Sequence, residues 1–266
     1  MIRDITIGQY YPSNSKLHRL DPRVKIVCTL LYLISLFLFN NIWGYLVATA
    51  FLVFVIRTSK VPFKFIVRGL KPIIMLLMIT VVFNLFLNNQ GKILVEFWVL
   101  KITTVGLETA VFMAIRLIYL ILGSSLMTFT TTPNALTDGI ESLLKPLEKV
   151  KVPVHEIAMM MSIALRFIPI LLEETDKIMK AQIARGADLE SGNILQKAKA
   201  MVPILVPLFV SAFRRANDLA MAMEARYYRG GDGRTKMKPL VYTKKDFVAY
   251  AITIVYVVIS VIIGRL

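Results

Sequence analysis

The sequence predicts an all-α integral membrane protein with about five transmembrane helices. A cytoplasmic domain of about three amphipathic helices joins them, two of these long and crossed or hairpin-like. Three observations carry this expectation. Of 266 residues, 56% are hydrophobic and mean hydropathy is +0.65, above the roughly 45–50% apolar content of soluble domains. The apolar residues gather in runs close to the length a bilayer requires. The basic excess, 32 Lys+Arg against 17 Asp+Glu for a net charge of +15, lies between those runs, as it does on cytoplasmic loops. No basic stripe is interleaved with stacking aromatics, so nucleic acid is not an expected partner. The single Cys28 allows neither an intrachain disulfide nor a cysteine metal cluster.

The first stretch, "MIRDITIGQYYPSNSKLHRLDPR", is polar and does not read as a cleaved signal peptide. Asp21-Pro22 then starts a helix, with Asp as cap and Pro in the first position. Apolar runs from Ile26 to Phe39 and from Ile42 to Ile56 give two thin spans, broken by Asn40-Asn41. The loop from Arg57 to Lys71 holds five basic residues and no acid. A third span runs from Pro72 to Leu87. The alternating stretch Asn88 to Thr104, with Trp98, suits a short hairpin at the membrane interface. A fourth span from Val105 to about Phe129 contains Glu108 and Arg116, and a fifth covers Val248 to Gly264. A charge deep in a span has a role or a partner. For Arg116 the expected partner is a backbone carbonyl or Asn84.

Residues between the fourth and fifth spans form neither a loop nor an ordinary run of spans. "TTTPNALTDGIESLLKPLEKV" reads as an amphipathic helix capped by Thr, started at Pro133 and bent or ended by Pro146. Two long helices follow, from about Val154 to Arg185 and on to Arg226. Each is apolar in its first half and polar in its second. Arg166, Pro169, Pro203 and Pro207 interrupt the apolar halves. Two extra spans are the alternative reading. The expected layout is 1–131 for transmembrane helices 1–4, 132–240 for the cytoplasmic helical domain and 241–266 for the last span. Loop charge places the N-terminus and the helical domain in the cytoplasm and the C-terminus outside.

Both long helices end in Ala-x-x-Ala-Arg: Ala181, Ala184 and Arg185, then Ala222, Ala225 and Arg226. A plain helix cap accounts for Arg185, since Gly186 follows it. Tyr227 stands where the second copy would need its glycine, so the shared unit reads as Ala-Arg rather than as a cap. Small residues one turn before an arginine let another backbone approach, and the guanidinium can grip a carboxylate with paired bonds. Neither His18 nor His155 has an acid/base pair, a nucleophile triad or metal-ligand spacing around it, and no glycine-rich phosphate loop is present. No catalytic site and no cofactor are expected.

"LHRLDPRVK", "ALRFIPILLEE…AQIARG" and "AMEARYYRGG…RT" together resemble, over nearly the whole chain, EcfT, the transmembrane T subunit of energy-coupling factor transporters. The resemblance implies a scaffold in an ATP-driven importer of micronutrients, vitamins or metal ions, working with two ABC-type ATPases and a substrate-binding membrane S component. It makes 132–240 a coupling domain whose helix ends dock on the ATPases through Ala184, Arg185, Gly186, Ala225, Arg226 and Tyr227. Tyr227 departs from the small third residue usual in that family. Met159, Met160, Met161, Met201 and Phe209 become candidate S-component contacts, because methionine repacks against different partners. Gap-filling is the simpler role for these methionines. The competing function is a secondary transporter with its own substrate path, for which Arg116 is the one good candidate residue.

Overall fold

The computed structural model describes residues 10–87, 93–97, 100–187, 193–231, 235 and 237–265. These form nine α-helices and one short hairpin, in the order α1 (Pro22–Ser35), α2 (Ile42–Ser59), α3 (Phe63–Arg68), α4 (Ile74–Leu87), β1 (Ile93–Phe97), β2 (Leu100–Thr103), α5 (Thr104–Thr130), α6 (Pro133–Leu144), α7 (Val154–Ala184), α8 (Ile194–Glu224) and α9 (Lys244–Gly264). The expected hairpin is the antiparallel pair β1–β2, while Trp98 lies outside the described residues. The chain divides into two compact units. One is Gly8–Ile140 with Pro239–Leu266, and the other is built on Glu141–Lys238.

The first unit is a helical bundle whose core joins Tyr32, Leu36, Phe39, Tyr45, Leu52, Leu122, Leu126 and Tyr256. Asp21 caps α1 as expected, accepting from the Arg23 amide at 2.9 Å. Its carboxylate also grips the Arg23 guanidinium through two bonds. Asp246, in the first turn of α9, accepts from the Asp21 amide at 2.8 Å and from the amide and hydroxyl of Thr243. One buried carboxylate thus pins the starts of α1 and α9 together and satisfies amides that no helix could. α5 runs against α1 in the opposite direction. Tyr32 donates to the Tyr119 carbonyl, and a Cβ on Gly123 would lie 2.4 Å from the Tyr32 ring, so only glycine fits there.

Arg116 donates to the Phe39 carbonyl at 3.2 Å and to the Asn40 side chain at 2.6 Å. The expected carbonyl is present, but the side chain is Asn40 rather than Asn84, which instead donates to the Thr80 carbonyl of its own helix. The turn after α1 presents the Phe39 carbonyl and the Asn40 side chain, and the guanidinium takes both.

In the second unit, α7 and α8 each have 31 residues and pack against each other in opposite directions. Glu174 pairs with Arg215 at 3.0 Å, and the Gln182 amide donates to the Pro203 carbonyl at 3.3 Å. That carbonyl would normally receive the amide of residue 207. Residue 207 is proline and has none, so Gln182 fills a gap that the sequence of α8 creates. α6 ends at Leu144, before Pro146, as expected.

Five helices are long and apolar enough to cross a membrane by length and composition: α2, α5, α7, α8 and α9. The all-α membrane architecture holds, and three of the five expected spans, α2, α5 and α9, are among these candidates. α4 is apolar and shorter, and α1, expected to span, is a 14-residue helix carrying Arg23 and Lys25. α7 and α8 meet the length criterion although each carries a charged second half.

Candidate functional site

The two Ala-Arg endings close with the same pair of backbone bonds. At the end of α7 the Gly186 amide donates to Ile183 at 2.9 Å and the Ala187 amide to Gln182 at 3.0 Å. At the end of α8 the Tyr227 amide donates to Glu224 at 2.9 Å and the Tyr228 amide to Met223 at 3.1 Å. Every donor and acceptor is displaced by 41 positions, the spacing of Arg185 and Arg226. This closing pair of bonds requires a left-handed residue just beyond the helix. Gly186 supplies it at φ 86° and Tyr227 at φ 55°. The cap is therefore shared, contrary to the expectation that only Ala-Arg repeats. The sequence concealed it because a tyrosine at positive φ is an outlier that no local pattern announces.

This closure puts Arg185 and Arg226 at equivalent last positions, with their side chains free of the helix. Ala184, Arg185, Gly186, Ala225, Arg226 and Tyr227 are all exposed. Neither arginine has an ion-pair partner among the described residues. The two ends lie far apart. Gln182 touches Pro203, and Arg226 lies 23 residues further along the opposed helix, on the order of 35 Å at 1.5 Å per residue.

The candidate S-component contacts do not form one pad. Met160, Met161, Met201 and Phe209 are exposed, while Met159 is half-buried. The Met159–Met161 group lies about 22 residues of α7 before Gln182, which marks the level of Met201. The two patches are therefore on the order of 30 Å apart. Around Met201 and Phe209, Val202, Leu205, Val206, Val210 and Phe213 are also exposed.

His155, set aside in the sequence for want of partners, has two. Its Nδ1 lies 3.0 Å from the Glu141 carboxylate at the end of α6. Gly231 sits over its ring so closely that a Cβ would lie 2.7 Å away. The segment just past Arg226 is thereby seated on the start of α7. The glycine pair Gly230-Gly231 was the available signal, but its counterpart lies 76 residues upstream.

Comparison with known proteins agrees with this architecture. The family model described as cobalt transport protein (CbiQ) matches residues 13–237. The energy-coupling factor transporter transmembrane protein EcfT of Clostridium kluyveri is 58% identical over 98% of this chain and 97% of its own length. EcfT of Ruminiclostridium cellulolyticum is 55% identical over 96% of each chain. EcfT of Bacillus subtilis is 50% identical over 92% of this chain and 93% of its own. At that identity, over that share of both chains, this chain belongs to the EcfT family, the transmembrane components of energy-coupling factor transporters.

Proposed function

We propose that the chain is the coupling subunit of an ATP-driven micronutrient importer, taking up a vitamin or a metal ion. Arg185 and Arg226 each dock on one of two ABC-type ATPases. The carrying observation is the duplicated helix closure, which presents two exposed arginines, without an ion-pair partner among the described residues, on matching closing bonds at well-separated points of one helix pair. Two similar ends suit two similar partners. Exposed Ala184 and Ala225 leave room for close approach, and each guanidinium can bind a partner carboxylate with two bonds.

Residues 132–240 are read as the cytoplasmic coupling domain, despite the lengths of α7 and α8. Arg166, Pro169, Pro203 and Pro207, with the charged second halves, favour helices that dip into the interface over helices that cross it. The N-terminus then faces the cytoplasm and the C-terminus the outside. The patches at Met159–Met161 and at Met201 and Phe209 are two apolar footprints for the S component. Nucleotide hydrolysis belongs to the ATPases. A substrate path within this chain has little support, since Arg116, its one candidate, holds the turn at Phe39 and Asn40.

The test is Arg185→Glu combined with Arg226→Glu in the assembled transporter. Loss of ATPase co-purification and of uptake, with the chain still inserted, is the expected result. Retention of both would end the docking reading.

A further inference from the structure

Within the first unit, α1, α2, α5 and α9 enclose a cavity of about 530 Å³, in the range that holds a small molecule. Its walls are apolar, including Phe51, Val55, Leu126 and Ile252, and four lysines line it: Lys16, Lys25, Lys244 and Lys245. Phe54 and Val248, which also line it, are 52% and 57% exposed, so the cavity opens on an apolar outer face of the bundle.

The lysines gather where α1 and α9 begin. Both helix N-termini carry positive partial charge, which disfavours cations and attracts anions. Lys244 and Lys245 nevertheless occupy the first turn of α9 and are exposed. The nearby carboxylates are already engaged, Asp21 with Arg23 and Asp246 with the backbone of Asp21 and Thr243. Buried Lys25 donates to the carbonyls of His18 and Thr130 and makes no ion pair among the described residues. An apolar cavity opening on an apolar face, with Lys16, Lys244 and Lys245 exposed at one end, matches a molecule with an anionic head and a long apolar tail.

We propose that this cavity is a binding site for an anionic phospholipid. One acyl chain lies between α1, α2 and α9, and the headgroup phosphate is held by Lys16, Lys244 and Lys245. Basic pockets between membrane helices bind anionic headgroups in this way. Lys25 closes the floor and keeps the end of α5 beside α1. The site is remote in sequence from the Ala-Arg endings, and its assignment does not depend on what docks there.

The full chain, purified with whatever partners it retains and then delipidated, is titrated by native mass spectrometry with dioleoyl phosphatidylglycerol. Phosphatidylcholine of the same chains and free glycerol phosphate serve as comparisons. Phosphatidylglycerol is expected to be retained over both. Each exposed lysine contributes about fivefold in affinity, so Lys16→Gln, Lys244→Gln and Lys245→Gln together should weaken retention roughly a hundredfold. These are surface changes that leave the core untouched. Ala249→Trp, which fills the groove, should abolish retention while the lysines remain. Equal retention of the two lipids, or an unchanged preference in the triple variant, overturns the proposal. So does binding of glycerol phosphate as strong as that of the lipid. Retention by the chain alone but not by the assembled complex overturns it too, because a partner helix would then be the occupant.

Discussion

Tyr227 closes α8 with φ 55° while its ring is 82% exposed. Left-handed backbone costs a residue with a Cβ about 1–2 kcal/mol. Glycine avoids that cost but gives up about 0.5–1 kcal/mol more entropy on ordering. Tyr227→Gly should therefore stabilise the last turn by about 0.5–1 kcal/mol. The bonds that report it are the Tyr227 amide to Glu224 and the Tyr228 amide to Met223. Amide hydrogen exchange on the full chain should show these positions opening about two- to fivefold less often. The mirror change, Gly186→Ala, should loosen the Gly186 and Ala187 amides. At Gly186 a Cβ meets nothing within 4 Å, so its cost is purely that of the backbone. Under the proposed docking role, ATPase capture should survive Tyr227→Gly, because Arg226 keeps its position. Unchanged or reduced protection at positions 227 and 228 in Tyr227→Gly would refute the shared-closure argument.

Two further outcomes follow from the same geometry. Gln182→Leu should cost at most about 1 kcal/mol, since the bond to Pro203 is partly exposed, and the cost should vanish in a Pro207→Ala background, where residue 207 regains an amide for that carbonyl; a double-mutant cycle on thermal unfolding measures the coupling. Burial holds the His18 imidazole below its ordinary value of 6.5, and nearby Lys25 adds to this, while Nε2 donates to the Tyr11 carbonyl and Nδ1 meets the Ser15 hydroxyl. The folded state prefers neutral imidazole, so stability is fully present above pH 6.5 and falls as pH drops through the lowered value. Melting curves from pH 8 to 5 should show that loss in the native chain and less of it in His18→Gln.

Local chemistry was legible in the sequence and tertiary register was not. Asp21-Pro22 announced the start of α1, Pro146 the end of α6, and alternation the hairpin. Each depends on neighbours within a few residues. Arg116 announced a buried partner but not which one, because nothing in a single sequence sets the depth of the α1–α2 turn against α5. The apolar run read as the first span continues to Phe39, but its helix stops at Ser35, four residues earlier. His155 gave no sign, since Glu141 and Gly231 reach it through the fold alone. At the candidate site both arginines were visible, but the identity of their settings was hidden behind Tyr227.

Transmitting motion between distant ends requires register more than stability. The contacts that tie α7 to α8 are energetically modest. Glu174–Arg215 is partly exposed, a class worth about 0–1 kcal/mol, and Gln182 to Pro203 adds one neutral bond. Their value lies in placement. The ion pair and the proline carbonyl are separated by eight residues of α7 and twelve of α8, so each fixes a different point of the pair and together they oppose sliding. The prolines that weaken α8 as a free helix make this possible, because Pro207 leaves a carbonyl without its helical amide, open to a side chain from outside the helix. Gln182, one turn before Arg185, is that side chain. Gln182 thereby ties the end of α7 that carries Arg185 to the backbone of the helix that carries Arg226, the kind of link that the proposed coupling role would require.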